Sequence, residues 1–278
     1  MSEKSVPLIV TKPTQGYWRA TFNNPPINVF DTVMFRALQE LLDRLERDPE
    51  AKVIVFDSAN PEFFIAHFDL IGDTGDLVKE QVNGLHPWPG FTTRLAAIPV
   101  LSISAVRGRA RGVGSEFALA TDIRFASKER ALFQQPELPI GLLPGGGAVE
   151  RLPRLVGRSR ALEIILGSDE FNAQTAERYG WINRAMEDAE FDDFIDSFAR
   201  RVARFDRSLL ARGKELINAR ADLPTGEELM ESEAAFLQTT AYPTTLASLA
   251  QLKKDGLQER SDLELNMAAY FDRRSADS

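Results

Sequence analysis

An α/β core that ends in a helical appendage is the fold this sequence predicts. Three observations carry the prediction. Short β-branched and aromatic runs alternate with segments of helical apolar spacing up to about residue 187. From about Asp188 onward only helical patterns remain. The chain has 278 residues, 44% hydrophobic and 27% charged, enough for one large domain plus an appendage and for a core that needs no disulfide or structural metal.

The elements follow in order. "PLIVTK" and "GYWRATF" read as two short strands. Asp31 offers an N-cap to a helix in which Val33, Met34, Ala37, Leu38, Leu41, Leu42 and Leu45 recur at helical spacing, stopping before Asp48-Pro49. "KVIVFDS" is a buried strand. Phe63 to Gly90 reads as irregular and rich in aromatics and glycine, a connection long enough to be a binding loop or lid. "IPVLSISAVRG" is a strand running into a glycine turn and a helix that contains Glu116. "IRFAS" and "RALFQ" are strands bracketing a polar turn, Lys128-Glu129. "PIGLLPGGGAVERLPRLVG" reads as a loop, a glycine turn and a short helix, followed by helices over "SRALEIILG" and "NAQTAERYG" and a strand "WINRAM". The remainder reads as helices over "FDDFIDSFARRVARF", "RSLLARGKELINAR", "GEELMESEAAFLQTT" and "DLELNMAAYFDRR".

Composition removes several classes of chemistry. Without cysteine there are no disulfides, thiolate zinc sites or cysteine nucleophiles, which suits a cytoplasmic protein. A net charge of −8 and a pI near 5.0 argue against a nucleic-acid surface. The N-terminal "MSEKSVPLIV" lacks a signal-peptide apolar region, and no run approaches the ~18 apolar residues of a membrane span. His67 and His86 are the two histidines; no G-x-S-x-G elbow presents a serine to either, and a metal site is not expected. No phosphate-binding P-loop or dinucleotide fingerprint occurs. Any chemistry rests on carboxylates and backbone dipoles.

Two stretches could supply it. In "RGRARGVGSEFALATDIRFAS" the turn Gly112-Val113-Gly114 runs into a helix, where N–H groups without intrahelical partners stabilise a phosphate or a developing oxyanion. Glu116 stands at the start of the apolar run, and a buried carboxylate there is paired, neutralised or part of a site. A tight turn with Glu116 capping its own helix fits equally. In "FQQPELPIGLLPGGG" Glu137 follows Pro136 beside an apolar loop stiffened by Pro139 and Pro144. Two facing carboxylates push each other's pKa upward and apart, as a general acid and base require. A solvated loop glutamate is the other reading of Glu137.

The ordered motifs resemble the crotonase superfamily, the enoyl-CoA hydratase/isomerase family. "NNPPINVFD" resembles its N-x-P-x-x-N-A-L, and "FIAHFDL" resembles F-C-A-G-A-D-L. "AVRGRARGVGSEFALATDIRFAS" and "FQQPELPIGLLPGGGAVERLPRLVG" resemble the two long central motifs of that family, and the likeness runs through "NAQTAERYGWINRA" to the closing "NMAAYFDRR". The resemblance implies a spiral of ββα units over residues 1–205 carrying an acyl-CoA site, and a helical oligomerisation region over 206–278 that gives a homotrimer or a dimer of trimers. It implies an acyl-CoA thioester substrate, no cofactor beyond the coenzyme A that the substrate carries, and no metal, nucleic-acid or membrane partner. It implies Phe68 and Val113 as backbone N–H donors to an enolate oxyanion, and Glu116 and Glu137 as the hydratase pair that holds and exchanges protons with a water. Ala66, His67, Asp69, Leu70, Gly112, Gly114, Pro136 and Gly145 are the implied substrate-binding residues. The family also includes isomerases, decarboxylases, thioester hydrolases and C–C lyases, and a non-catalytic acyl-CoA or protein binder is a further alternative.

The chain departs from the family pattern in places. His67-Phe68 replaces Gly-Ala with two bulky residues, so His67 is either a third polar group near the substrate or a packed loop residue. Val113 replaces a glycine and is compatible only with negative φ. Arg107, Arg109 and Arg111 form a basic cluster that meets CoA phosphates or makes surface or intersubunit ion pairs. His86, Trp88 and Phe91 either line an acyl pocket or pack. In the helical third, Leu229, Phe236, Leu237, Leu246 and Leu249 are expected to need a partner surface.

Overall fold

The computed structural model describes residues 6–72 and 84–276, the side chains as far as residue 274. Strands β1 (Leu8–Thr14) and β2 (Tyr17–Phe22) form an antiparallel hairpin, and α1 (Thr32–Arg47) follows, its N-cap Asp31 accepting from the Met34 N–H. Three strand–strand–helix units then succeed one another. They are β3 (Val53–Ser58), β4 (Phe63–Ile65) and α2 (Pro87–Ala97); β5 (Leu101–Val106), β6 (Arg109–Arg111) and α3 (Val113–Ala120); and β7 (Ile123–Ser127), β8 (Leu132–Gln134) and α4 (Glu137–Ile140). The first strand of each unit joins a six-stranded sheet ordered β1-β2-β3-β5-β7-β10, and the second joins a four-stranded sheet ordered β4-β6-β8-β9. Helices α5 (Ala148–Val156) and α6 (Arg158–Gly167), strand β9 (Phe171–Asn172), α7 (Ala173–Tyr179) and β10 (Arg184–Met186) complete the spiral. The rest is helical: α8 (Asp188–Ala203), α9 (Arg207–Asn218), α10 (Gly226–Thr240), α11 (Pro243–Lys254), α12 (Asp262–Leu265) and α13 (Met267–Ala276).

The large sheet is covered on both faces, which is why its parallel strands are near-continuous apolar runs. In β3, Ile54 and Phe56 enter the main core between the sheets, while Val53 and Val55 face Phe191, Ile195, Ala199 and Val202 of α8. That spacing is one stripe of a helix.

Several elements differ from the sequence expectation. The segment 63–90 begins with β4 and ends in α2, whose Pro87 sits at the helix start where a missing N–H costs no bond; residues 73–83 of it lie outside the described residues. β6 lies between the expected strand and the glycine turn at Gly112, and the loop expected from Pro139 begins within the single turn α4. β10 starts at Arg184 because Trp181 and Ile182 turn into the core. The last expected helix breaks at Asn266 into α12 and α13.

The helical third also behaves differently. Leu229 is buried, Leu249 packs into a cluster with Ile140, Leu142 and Leu252, and the Phe236 ring meets that of Phe68 edge-on, centroids 6.1 Å apart. These positions find partners within the chain. Among the described residues Leu246 stands exposed, as do Leu209 and Ile217 on α9, a helix with no buried residue.

Candidate active site

The three parallel strands β4, β6 and β8 lie side by side, and each delivers a piece of one cavity just past its C-terminal end. β4 leads to His67 and Phe68, β6 to Gly112, Val113 and Glu116, and β8 to Pro136 and Glu137. Binding at the carboxyl ends of parallel strands follows from that geometry, since the chain leaves the sheet there and side chains converge.

Gly112 has φ +46°, a conformation a side chain resists, and α3 starts directly after it. A Cβ on Gly114 would stand 2.4 Å from the Ile65 carbonyl oxygen, so α3 can lie against β4 only with glycine there. This brings two backbone donors to one cavity. Phe30 N–H donates to His67 O, and Asp69 N–H donates to Phe30 O, which turns the intervening Phe68 N–H the other way. Among the described residues neither the Phe68 nor the Val113 N–H has an acceptor. Such a pair can hold one developing negative charge.

Glu116 is buried, and its carboxylate caps another segment rather than its own helix. Gly146 N–H (2.7 Å) and Ala148 N–H (3.2 Å) both donate to Glu116 Oε1. Burial pushes its pKa up to about 7, against the opposing pull of those two donors. Glu137 is buried as well, not solvated. Burial, with the neighbouring Glu116 charge added, pushes its pKa well above the usual carboxylate range. With its amide nitrogen turned inward, Gln135 donates to both Glu137 oxygens at 3.3 Å. Each carboxyl lies against a glycine: a Cβ on Gly146 would meet Glu116 Oε2 at 2.2 Å, and one on Gly112 would meet Glu137 Oε1 at 2.7 Å.

The cavity these groups share measures about 790 Å³, its open mouth included. Of the expected substrate-binding residues, His67, Leu70, Gly112, Pro136 and Gly145 line it. Three do not. Ala66 is buried in a separate cluster with Ile27, Val29 and Phe63. Asp69 turns its carboxylate to the Ile71 and Gly72 N–H groups and to Gln258. Gly114 is the packing glycine beneath α3.

His67 combines both readings made of it. It lines the cavity, yet its Nδ1 lies 2.7 Å from Phe68 O and its Nε2 2.7 Å from Glu264 Oε1 of α12. Burial lowers its pKa, but the Glu264 charge and the hydrogen bonds outweigh that and leave it raised. The arginine cluster is spent on ion pairs within the chain. Arg107 binds Asp188 and Asp192, Arg109 donates to Leu265 O, and the fully buried Arg111 binds Glu170 and Glu264 O. Trp88 lines the cavity and donates from Nε1 to Gly146 O, while Phe91 is buried and stacks on it.

Sequence reading missed a wall. Glu233, Phe236 and Leu237 of α10 line the cavity, together with Phe30, Phe35, Ile140, Leu142 and Gly146. A signal was present: Glu233 interrupts the apolar stripe Leu229, Phe236, Leu237 just as Glu116 interrupts its own. Among the described residues no group of three or more His, Cys, Asp or Glu is placed to hold a metal ion, and no helix is long and apolar enough to cross a membrane.

Comparison with known proteins places the fold in a family. The family model described as enoyl-CoA hydratase/isomerase matches residues 14–249. A Mycobacterium leprae protein named a probable enoyl-CoA hydratase is 28% identical over 228 residues, covering 81% of this chain and 87% of its own. A carnitinyl-CoA dehydratase from Salmonella enteritidis is also 28% identical over 228 residues, covering 82% and 86%. A solved structure from Streptomyces avermitilis, provisionally described as an enoyl-CoA hydratase, is 38% identical with a TM-score of 0.90 and covers 98% of both chains.

Proposed function

The chain belongs to the enoyl-CoA hydratase/isomerase family, and from that premise we propose that it adds water across the double bond of a 2-enoyl-CoA thioester. The observation that carries this reading is the pair of buried carboxyls, Glu116 and Glu137, beside two unengaged backbone N–H groups. Glu116, held by two N–H donors, is the member that ionises first, so it takes the proton from the attacking water. Glu137, raised by burial and by the neighbouring Glu116 charge, is the acid that donates to Cα.

The step balances as follows. The water oxygen bonds to Cβ as its proton passes to Glu116, and the C=C electrons move toward the thioester oxygen. The Phe68 and Val113 N–H groups hold that oxyanion. The enolate collapses as Cα takes the Glu137 proton, leaving a 3-hydroxyacyl-CoA. Return of one proton from Glu116 to Glu137 resets the pair. No cofactor is needed beyond the coenzyme A of the substrate. The oligomer forms part of the same reading: Leu209, Ile217 and Leu246 stand exposed on the helical third, and we propose that they meet other copies in a trimer or a dimer of trimers.

The direct test is a panel of 2-enoyl- and 3-enoyl-CoA thioesters of graded chain length, followed by the absorbance of the conjugated thioester and by product identification. Water addition to 2-enoyl substrates is expected. Migration of the double bond in 3-enoyl substrates without water addition would replace the hydratase with an isomerase.

A further inference from the structure

The hydratase chemistry uses two carboxyls, yet the cavity has a third. Glu233 is only 6% exposed and lies on α10 in the stripe with Phe236 and Leu237, all three lining the cavity. Its position is fixed closely. A Cβ on Gly145 would stand 2.4 Å from Phe236 Cβ and 3.3 Å from Glu233 Cα, so α10 lies directly on the glycine turn whose next residue binds Glu116. His86, at the N-cap of α2, approaches the carboxylate with Nδ1 2.5 Å from Glu233 Oε2. The other oxygen, Oε1, accepts nothing among the described residues.

Covering that spare acceptor with an apolar ligand would be costly, in a wall otherwise built from Phe30, Phe35, Trp88, Leu142 and Phe236. The cost is offset if the ligand supplies a donor. A carboxylate-bearing acyl group is not matched, because among the described residues the lining offers no arginine or lysine and its histidine, His67, already pairs with Glu264. A full cation is not called for either, since the His86 ring already engages one of the two Glu233 oxygens. A neutral donor remains.

We infer that Glu233, supported by His86, is a specificity subsite for a hydroxyl group on an otherwise apolar acyl chain, and that α10 is the element that selects the substrate. This rests on the reading of the cavity as an acyl-CoA site. Binding is therefore measured without turnover, by calorimetry with saturated thioesters: hexanoyl- to dodecanoyl-CoA against their ω-hydroxy counterparts, and 3-phenylpropanoyl-CoA against its 4-hydroxyphenyl analogue. In at least one pair the hydroxylated member should bind about tenfold or more tightly, since a site built around a buried acceptor rejects the analogue that leaves it unpaired. In Glu233→Leu that preference should vanish because the hydroxylated member weakens, and Glu233→Gln, which keeps an acceptor oxygen, should retain part of it. Equal affinities in every pair, or an unchanged preference in Glu233→Leu, would overturn the subsite. If Glu233→Leu does not fold, the wild-type preference and its reduction in Glu233→Gln decide. Failure to bind any thioester would instead refute the acyl-CoA reading itself.

Discussion

Val113 is the residue where backbone and side chain can be separated by experiment. It occupies the first position of α3, where proline is tolerated because the N–H has no intrahelical partner. Val113→Pro should therefore leave thermal stability nearly intact while lowering kcat by ~10²–10³, the usual cost of one oxyanion donor; a full rate in the folded variant would remove Val113 from the reaction. Glu116 offers a second separation, in pH. Its raised pKa means the folded protein holds a proton there that the unfolded chain releases near the ordinary carboxylate value. Stability is thus lost as pH rises from that value through about 7, where the buried group must ionise. Glu116→Gln should raise Tm at pH 8 and leave it almost unchanged at pH 4, read by calorimetry across that range. A Tm gain of equal size at both pH values would show that burial of charge is not its cause. Both residues were legible from the glycine turn and its odd carboxylate. What the turn could not reveal is that Glu116 reaches across to Gly146 rather than capping its own helix, because that contact spans 30 residues of chain.

The elements that bind the site together are the C-terminal ones. α12 supplies Glu264, fully buried, to His67, and Gln258 just before it holds Asp69 and the Leu70 N–H. The charged groups packed around His67 are Glu264, Arg111 and Asp69, with Glu170 on the far side of Arg111. Removing one partner of a buried ion pair commonly costs about 3–5 kcal/mol, and Glu264→Gln should lose about that much in denaturant unfolding near neutral pH. The sign of the pH dependence follows from both shifts. His67 is raised, so its contribution is complete below about 6.5 and disappears as pH rises through its folded value. Glu264 is lowered, by the His67 charge and bond against its burial, so its contribution is complete above the ordinary carboxylate value and is lost as pH falls through its folded one. The loss on Glu264→Gln should shrink at alkaline pH; a pH-independent loss would mean that shape, not charge, matters there. Elements with strong periodicity, such as α1 and β3, were legible in the sequence. β6 and β9 were not, because three- and two-residue strands carry no period. α2 was hidden by Pro87, Pro89 and Gly90, which mimic a loop unless the helix start is already known. The wall made by α10 was read as a subunit contact because an apolar stripe does not say which surface it covers.

At the scale of the whole molecule, the α/β core was legible through its alternation and the strand–strand–helix spiral through the family resemblance, whereas the folding of residues beyond 206 back over the cavity depends on contacts between distant parts of the chain. That folding leaves α9 with Leu209 at 73% and Ile217 at 67% exposure, an apolar face that the described residues leave uncovered. Light scattering at micromolar concentration should give three or six times 31.0 kDa; the mass of a single chain would refute the assembly and leave that face unexplained. The central claim concerns the reaction that the assembled site performs, and one comparison tests it most directly: hydration of a 2-enoyl-CoA by Glu116→Gln, Glu137→Gln and the double variant. An amide keeps the volume and removes the titrating group, and general acid–base catalysis is worth ~10²–10⁴. Each single variant should lose at least that factor, and the double variant should be little worse than either, because two groups that serve one water act as a unit. Full activity in Glu116→Gln with loss only in Glu137→Gln would contradict the hydratase, since one base is enough to move a double bond but not to place and split a water.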